Sequence, residues 1–175
     1  LVLLSRVPYP LEKGDKLRAY HQLRILSEEH EIYLVALNDG TVHKEAEEKL
    51  SKFCKEVHII NLPKISRLWN IFTAFVTNKP LQCGYFFSRV AKIQFDSIVE
   101  KVQPDHIYCQ LVRVIDYVKD KNIAKTLDFQ DVLSKGMLRR KEAAPFYKKF
   151  VFGIEYRRLC RYERKAMSIF DNCTI

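Results

Sequence analysis

The sequence contains 175 residues, of which 47% are hydrophobic, and its 30 Lys and Arg against 21 Asp and Glu give a formal net charge of +9. This hydrophobic content excludes a disordered chain, and the longest apolar runs are far shorter than the ~20 residues of a membrane-spanning helix. The positive charge predicts an anionic partner, which on charge alone could be a nucleic acid, a phosphorylated small molecule or an acidic membrane surface.

The five cysteines show no CxxC spacing, and most lie within apolar segments: Cys54, Cys83, Cys109, Cys160 and Cys173. Their odd number and spacing predict reduced core residues in a cytoplasmic protein, with neither a zinc site nor a disulfide framework. The chain starts inside an apolar strand at Leu1 and stops inside another at Ile175, so we expect a piece of a longer protein.

Strand-like apolar segments alternate with segments of helical spacing along the chain. The strands are predicted at residues 1–7, 31–37, 56–62, 106–111, 124–129 and 172–175. Between most of them, apolar residues recur at helical intervals, as at Phe95, Ile98, Val99 and Val102. The repeated order of strand, helix and strand predicts an α/β fold in which a parallel sheet carries helices on both faces. Because no flexible linker interrupts the pattern, we expect one domain.

Capping residues and prolines predict where several helices begin or end. Asp15 is predicted to cap a helix over residues 17–28, and Thr41 is predicted to precede the next helix. Pro145 lacks an N–H group and would clash with the preceding helical turn. It therefore must divide residues 135–170 into two helices.

In an open parallel sheet, ligands bind outside the carboxyl ends of the strands, where the strand order reverses. This rule selects the loops after strands one, two, four and five, at residues 5–15, 38–41, 110–114 and 128–135. Charged and polar residues concentrate in the first of these, with "EKGDK", and in the last, with "DFQDVLSK". We therefore expect the functional site in those loops.

The first loop combines Gly14 with the start of a helix. A glycine lets the backbone approach a ligand closely, and the free N–H groups of a helix start attract a phosphate. The sequence lacks GxGxxG and GxxxxGK[ST], which disfavours a dehydrogenase or a P-loop nucleotide hydrolase. The alternative is that Gly14 and Asp15 form an ordinary turn and cap, and it is favoured when the motif is taken alone.

Asp128 and Asp131 flank the end of the fifth strand, with Ser134 and Lys135 close behind. A carboxylate at this place could accept hydrogen bonds from sugar hydroxyls or assist a proton transfer. From spacing alone, it is equally open that Asp131 or Ser134 only caps the next helix. Since no DxD signature and no ligand-spaced cluster is present, we predict no metal. Of the five histidines, only His21 lies near the selected loops.

Two stretches combine basic and apolar residues, at 64–79 and 146–165. Helical spacing gathers the apolar residues of the first stretch near one side: Leu68, Trp69, Phe72, Phe75 and Val76. A basic amphipathic helix of this kind can lie in a bilayer interface. The favoured interpretation is that each stretch packs its apolar side onto the sheet, as helices of this architecture must.

The opening segment "LVLLSRVPYPLEKGDKLRAYHQLRILSEEHEIYLVAL" resembles that of the family 4 glycosyltransferases. There, a first strand ends in a PYP…GD(K) loop and enters a helix carrying R-x-Y/F-H-x-L-x-x-L. The later "LDFQDVLS" and "EYRRLCRYERKAMSIFDNCTI" are similar to the family's D-x-x-D-x-x-S loop and its E-x-x-R-x-x-x-Y-E helix. The likeness covers the whole chain and points to bacterial sugar transferases of exopolysaccharide and cell-envelope synthesis.

The resemblance implies the N-terminal, acceptor-side half of a GT-B enzyme, in which two Rossmann-like domains face each other across a cleft. Residues 1–175 would be this half, and the C-terminal domain that binds the donor would be absent from the sequence. Such an enzyme transfers a hexose from a nucleotide-sugar to a saccharide or polyprenyl-linked acceptor, with retention of configuration and without metal or cofactor. The fragment alone would be inactive. Its location would be cytoplasmic, or peripheral on the anionic inner face of the cell membrane.

The resemblance also implies a role for the first loop. Gly14, Asp15 and Lys16 would line the cleft beside the donor's diphosphate. The backbone near Gly14 would then stabilise the negative charge of the leaving group.

The remaining motif positions are implied to face the acceptor. The implied acceptor-binding residues are Arg18, His21, Gln110, Arg113 and Ser134. Gln110 or Arg113 stands where many relatives have a His after the fourth strand. Asp128 and Asp131 would be the carboxylates at the reaction site.

Two other functions stay open at this point. A non-catalytic Rossmann-like module could bind a nucleotide or an acidic partner. An RNA-binding domain is the more distant alternative, and since no RGFGF-type stacking motif or basic repeat is present, we expect no nucleic-acid partner.

Overall fold

A computed structural model of the protein describes residues 1–175, except for the side chains of residues 64–67. Its six strands form one parallel sheet in the order β3-β2-β1-β4-β5-β6. The strands are β1 (Val2–Leu4), β2 (Tyr33–Asn38), β3 (Glu56–Asn61), β4 (His106–Gln110), β5 (Ala124–Asp128) and β6 (Asn172–Thr174). This confirms the predicted α/β fold of Rossmann-like type, and every predicted strand is present.

Helices connect the strands and cover both faces of the sheet. They are α1 (Gly14–Leu26), α2 (Ala46–Leu50), α3 (Lys64–Val76), α4 (Leu81–Phe86), α5 (Arg89–Val102), α6 (Ile115–Val118), α7 (Leu133–Ala143) and α8 (Phe146–Met167). A 3₁₀ turn, Val112–Val114, precedes α6. Among the described residues, no helix has both the length and the apolarity required to cross a bilayer.

The core lies in two layers because successive side chains of a strand point to opposite faces. Val2 and Leu4 pack with Leu23 of α1 and the residues of α2 on one face. Leu3 packs on the other face, where Phe95 of α5 and the buried α6 contribute. All three residues of β1 are buried, as expected for the central strand of a sheet covered on both sides.

The helix boundary predicted from Pro145 is confirmed, whereas the predicted helix caps were wrong. Residues 135–170 do form two helices, and the second begins at Phe146, directly after Pro145. Asp15 does not cap α1, because the helix already begins at Gly14 and Asp15 lies in its first turn. Thr41 does not start α2, which begins only at Ala46.

Long-range carboxylates bind the helix starts that local caps leave open. Glu155 of α8 accepts a hydrogen bond from the backbone N–H of Leu81, the first residue of α4 (2.8 Å). Glu163 accepts one from the N–H of Ser134 in the first turn of α7 (3.0 Å). Both carboxylates are buried, and both meet the positive end of a helix dipole. One helix, α8, thereby fixes the position of two others.

The two basic apolar stretches depart from the favoured interpretation. In α3, Leu68, Trp69 and Phe72 are exposed to solvent instead of packing onto the sheet. In α8, the second half is anchored by buried residues such as Leu159, whereas the whole segment 145–151 is exposed. The apolar side of the first stretch and the beginning of the second therefore face outward.

All five cysteines are free thiols. Cys54, Cys83 and Cys109 are buried, in agreement with the predicted core role. Cys160 is half-buried and Cys173 is exposed, so the prediction of core burial is wrong for Cys173.

Candidate functional site

The strand order reverses at β1, which pairs with β2 on one side and with β4 on the other. The loops after β1, β4 and β5 consequently meet at the carboxyl edge of the sheet and enclose an open cleft of about 360 Å³. The cleft is lined by Arg6, Gly14, Asp15, Arg18, Leu111, Arg113, Gln130, Asp131 and Leu133. We refer to it as the carboxyl-edge cleft.

Beside this cleft, Asp128 is completely buried and accepts four hydrogen bonds. Arg18 (3.1 Å) and the backbone N–H of Gln130 (2.8 Å) donate to Oδ1. The side chain of Gln22 and the hydroxyl of Tyr108 donate to Oδ2, each at 2.9 Å. Burial, and next the negative charge of Asp128, raise the pKa of Tyr108, so this hydroxyl keeps its proton and remains a donor.

A carboxylate has about four acceptor positions, and in Asp128 all four are occupied by protein donors. Three of these donors come from elements distant in sequence, since Arg18 lies 110 residues and Gln22 lies 106 residues from Asp128. Asp128 can therefore orient α1 and the β5–α7 loop. It is poorly suited to accept a proton from a substrate, because a substrate would have to displace one of the four donors.

Two guanidinium groups converge on the aromatic ring of Phe86 in the same cleft. Arg6 lies 5.7 Å and Arg113 lies 5.2 Å from the ring centroid. Arg6 forms an ion pair with Asp15 (3.3 Å), whereas Arg113 donates to the neutral side chain of Gln82 (2.9 Å). Asp15 lies between the two arginines, and Asp39 is a second carboxylate whose charge acts on Arg113.

Arg113 is the less well satisfied of the two arginines. Its Nε is buried, and among the described residues it has no hydrogen-bond partner. Burial, followed by the nearby charge of Arg6, lowers the pKa of Arg113. A buried donor without an acceptor is costly, so the position of Arg113 lowers the stability of the protein.

Backbone strain also concentrates at this cleft. Leu111 (φ 65°) and Gln130 (φ 56°) adopt left-handed backbone angles, which side chains other than glycine rarely occupy. Each such residue costs about 1–3 kcal/mol and persists only where surrounding contacts impose it. Gln130 is held on both sides, since its N–H binds Asp128 and its side chain donates to the backbone oxygen of Asp15 (3.2 Å).

The predicted phosphate loop lies at the rim of the carboxyl-edge cleft, but within the first helical turn. Gly14 is the first residue of α1 and does not have a positive φ angle. No atom lies within 4 Å of the position that a side chain at Gly14 would take, so its backbone is accessible from outside. The backbone N–H of Lys16 is already occupied by Asp15 (3.0 Å).

The predicted acceptor-side residues separate into two groups. Asp131 is exposed and lines the cleft, and its nearest ion-pair partner, Arg139, is 4.0 Å away. Gln110 is buried behind the cleft and donates to Gln22 (3.3 Å). His21 is exposed and packs edge-on against Tyr20 on the adjoining surface of α1.

Ser134 is buried under α8, where the backbone contact with Glu163 holds it. It does not line the cleft. Neither Asp131 nor Ser134 forms a side-chain cap on α7, so the capping alternative for these two residues was wrong.

Sequence reasoning missed several members of the site. Arg6 lies two residues after the end of β1, and Gln22 lies one helical turn after Arg18, so position along the elements could have identified both. Tyr108 could have been found only by assigning the inward face of β4. Nothing in the residue types indicates the strained angles of Leu111 and Gln130, because neither residue is a glycine.

A second cavity, of about 650 Å³, opens at the opposite edge of the sheet, where the strands begin. Its lining includes Glu29, His30, Gln103, Asp105 and His106. His106 contacts the hydroxyl of Thr126 (3.0 Å). We refer to it as the amino-edge cavity.

Throughout the part of the chain whose side chains are described, no three His, Cys, Asp or Glu residues converge as metal ligands would.

Comparison of the sequence with models of known protein families gave no match. Searches among curated proteins and among solved structures gave none either. The chemistry of the carboxyl-edge cleft is therefore the basis for assigning a function.

Proposed function

We propose that this chain is the acceptor-side domain of a retaining, metal-independent glycosyltransferase, and that the carboxyl-edge cleft receives the diphosphate of a nucleotide-sugar. The acceptor, a saccharide or a polyprenyl-linked sugar, would bind along the same edge. The other wall of the active site would come from a donor-binding domain of the same protein. The motif resemblance in the first, fifth and last segments motivates this choice of reaction.

The observation that carries the proposal is the arginine pair on Phe86. Arg6 and Arg113 both line the cleft, and both guanidinium groups lie within 6 Å of the ring of Phe86. Guanidinium groups bind phosphate oxygens through charge-assisted hydrogen bonds. Because sugar transfer leaves a nucleoside diphosphate with growing negative charge, donors fixed at this place would stabilise the transition state.

The carboxylates have different roles in this proposal. Asp131 is exposed at the cleft and can accept a hydrogen bond from an acceptor hydroxyl. Asp128 is a positioning residue, since its four donors leave it no capacity for a substrate. Its contact with Arg18 keeps that side chain at the cleft.

The saturation of Asp128 also favours one alternative, a non-catalytic module that binds a nucleotide through the same arginines. The two functions share the anion site and differ in whether a sugar is transferred. Binding and turnover must therefore be measured separately.

Binding of a nucleoside diphosphate to this chain is the first measurement, by isothermal titration calorimetry with UDP and GDP. Arg113→Met keeps the apolar length of the side chain but removes its donors, and we expect at least a tenfold loss of affinity, about 1.4 kcal/mol or more. The matched control is Arg24→Met, because Arg24 is exposed in the last turn of α1, and its affinity should equal that of the unchanged protein.

Turnover is then measured with a panel of nucleotide-sugars and the full-length gene product. Transfer that Arg113→Met reduces and Arg24→Met preserves supports the glycosyltransferase. Diphosphate binding without transfer of any sugar would favour the binding module. Equal diphosphate affinity in all three proteins would refute the anion site, and with it both functions.

A further inference from the structure

Helix α3 is amphipathic, but its apolar side faces the solvent and its small and polar side faces the domain. Its inward side carries small and polar residues, since Ala74 is buried against Gly84 and Asn70 binds the backbone oxygen of Phe87. Its outward side is large and apolar: Leu68, Trp69, Phe72, Phe75 and Val76 are between 56% and 74% exposed. A helix that only covered the sheet would have the opposite arrangement.

The exposed aromatic area of α3 is considerable. If each aromatic side chain contributes about 200 Å², the exposed parts of Trp69, Phe72 and Phe75 amount to roughly 350 Å². A patch of this size equals the largest apolar patch of a typical monomeric protein, and such patches often have a function. Trp69 and Phe72 also lie in mutual contact, with ring centroids 5.8 Å apart.

A second apolar surface lies at the tip of the helical hairpin formed by α7 and α8. All residues of segment 145–151 are exposed, and Phe146, Tyr147, Phe150 and Val151 are the large apolar ones. Lys148 and Lys149 are interleaved with them. Aromatic and basic residues mixed in this way at a helix start are typical of segments that enter the headgroup region of a bilayer.

The buried residue Arg158 connects α8 to the end of α3. Its guanidinium lies 5.2 Å from the ring of Phe75, and it donates to the backbone oxygen of the same residue (3.0 Å). Helical spacing places Arg158 on the same side of α8 as Tyr147, Phe150 and Val151. We consider the outward side of α3 and the hairpin tip together and call them the apolar-basic surface.

The charge of the hairpin decides which occupant fits this surface. Residues 133–154 contain six Lys and Arg and a single acidic residue, Glu142. A second copy of the chain would bring the same positive charge to the contact and be repelled. An anionic bilayer offers the complementary charge together with an apolar phase for the aromatic side chains.

We propose that the apolar-basic surface docks the protein onto an anionic phospholipid bilayer, with α3 lying in the plane of the interface. Helix α3 has 13 residues and spans only about 20 Å, so it lies along the bilayer instead of crossing it. The lysines of the hairpin tip contact lipid phosphates. This inference does not depend on the reaction proposed above.

The single tryptophan of the chain, Trp69, lies within this surface and reports on it directly. The 175-residue protein is mixed with vesicles of phosphatidylcholine, with or without phosphatidylglycerol. We expect a blue shift of the Trp69 emission and co-flotation with the anionic vesicles. Binding to vesicles of phosphatidylcholine alone should be at least tenfold weaker.

Matched variants separate the apolar from the electrostatic contribution. Phe72→Asp and Phe150→Asp should each lower vesicle affinity at least tenfold, whereas Ile93→Asp, at an equally exposed apolar residue of α5, should not.

Replacing Lys148 and Lys149 by Ser should weaken binding about 25-fold, at about fivefold for each lysine. The same double change at Lys44 and Lys52, beside α2 on the opposite face of the sheet, should have little effect.

The proposal is overturned if the anionic vesicles do not bind the protein, or if the patch and control variants bind equally well. It is also overturned if the Trp69 shift appears without vesicles and rises with protein concentration, because a second copy would then occupy the surface. Every substituted residue is exposed, so thermal unfolding should confirm that each variant remains folded.

Discussion

The carboxyl-edge cleft and the amino-edge cavity lie at opposite ends of the same strands. The amino-edge cavity is the larger of the two, but the buried, fully hydrogen-bonded carboxylate lies beside the cleft. The amino-edge cavity measures about 650 Å³ against about 360 Å³. The carboxylates in its lining, such as Asp105, are exposed, whereas Asp128 beside the cleft is fully buried and accepts from four donors. Available volume therefore does not indicate which edge carries the buried carboxylate and its hydrogen bonds.

At each edge one glutamine has a positive φ angle, and the two angles have different structural causes. Gln103 at the amino-edge cavity has a φ angle of 47°, but it ends α5 and has the left-handed angle usual after a helix. Gln130 at the carboxyl-edge cleft ends no helix and is held there by Asp128 and Asp15. Strain that helix geometry does not explain is the more informative sign of a site.

The largest expected difference between the edges is in stability. Asp128→Ala leaves four half-buried donors, including Tyr108, without their acceptor, and we expect a loss of about 3 kcal/mol in the free energy of unfolding. Asp105→Ala at the exposed amino edge should cost less than about 0.5 kcal/mol. Urea unfolding with comparison of midpoints and slopes measures both. Similar losses for the two variants would abolish the distinction between the edges.

A smaller effect distinguishes the two strained glutamines. Gln103→Gly relieves the left-handed angle and should stabilise the protein by about 1 kcal/mol. Gln130→Gly gains a similar relief but loses the hydrogen bond to Asp15, so its net change should be near zero. Thermal unfolding of the pair tests this. If both variants were stabilised equally, the hydrogen bond from Gln130 to Asp15 would contribute nothing to the free energy of unfolding.

The smallest expected effect compares two glycines whose surroundings are open. A methyl group at Gly14 or at Gly136 of α7 would meet no atom within 4 Å. Each change to Ala should therefore stabilise by about 0.5–1 kcal/mol, through helix propensity and a more restricted unfolded chain. UDP affinity, measured by calorimetry, should fall for Gly14→Ala alone, since only Gly14 lies at the carboxyl-edge cleft. An unchanged affinity would exclude close approach of the ligand to that backbone.

The fold could be predicted from the sequence because it depends on local periodicity. Apolar runs marked all six strands, and Pro145 marked the division of the last two helices. The rule for parallel sheets also selected the loops that enclose the carboxyl-edge cleft. Caps were predicted less well because distant residues replace them: Glu155 and Glu163 bind the starts of α4 and α7 across more than 25 residues of sequence.

The details of the site were not predictable in the same way. The four contacts of Asp128 connect residues up to 110 positions apart, and no local pattern records such a pairing. The outward orientation of α3 was missed for a related reason. Its hydrophobic periodicity defines an apolar side, but long-range contacts, of Ala74 with Gly84 and of Asn70 with Phe87, determine that the other side faces the domain.

The way in which Gln130 is held has a consequence for the motion of the cleft. A loop residue normally opens to solvent in small, independent fluctuations. Gln130 can open only if its bonds to β5 and to α1 break together, because Asp128 and Asp15 hold its two ends. The loop should therefore show the slow amide exchange of the sheet, and the cleft wall should move as one rigid body. A ligand that binds there meets a surface that is already ordered, and little conformational entropy is lost on binding.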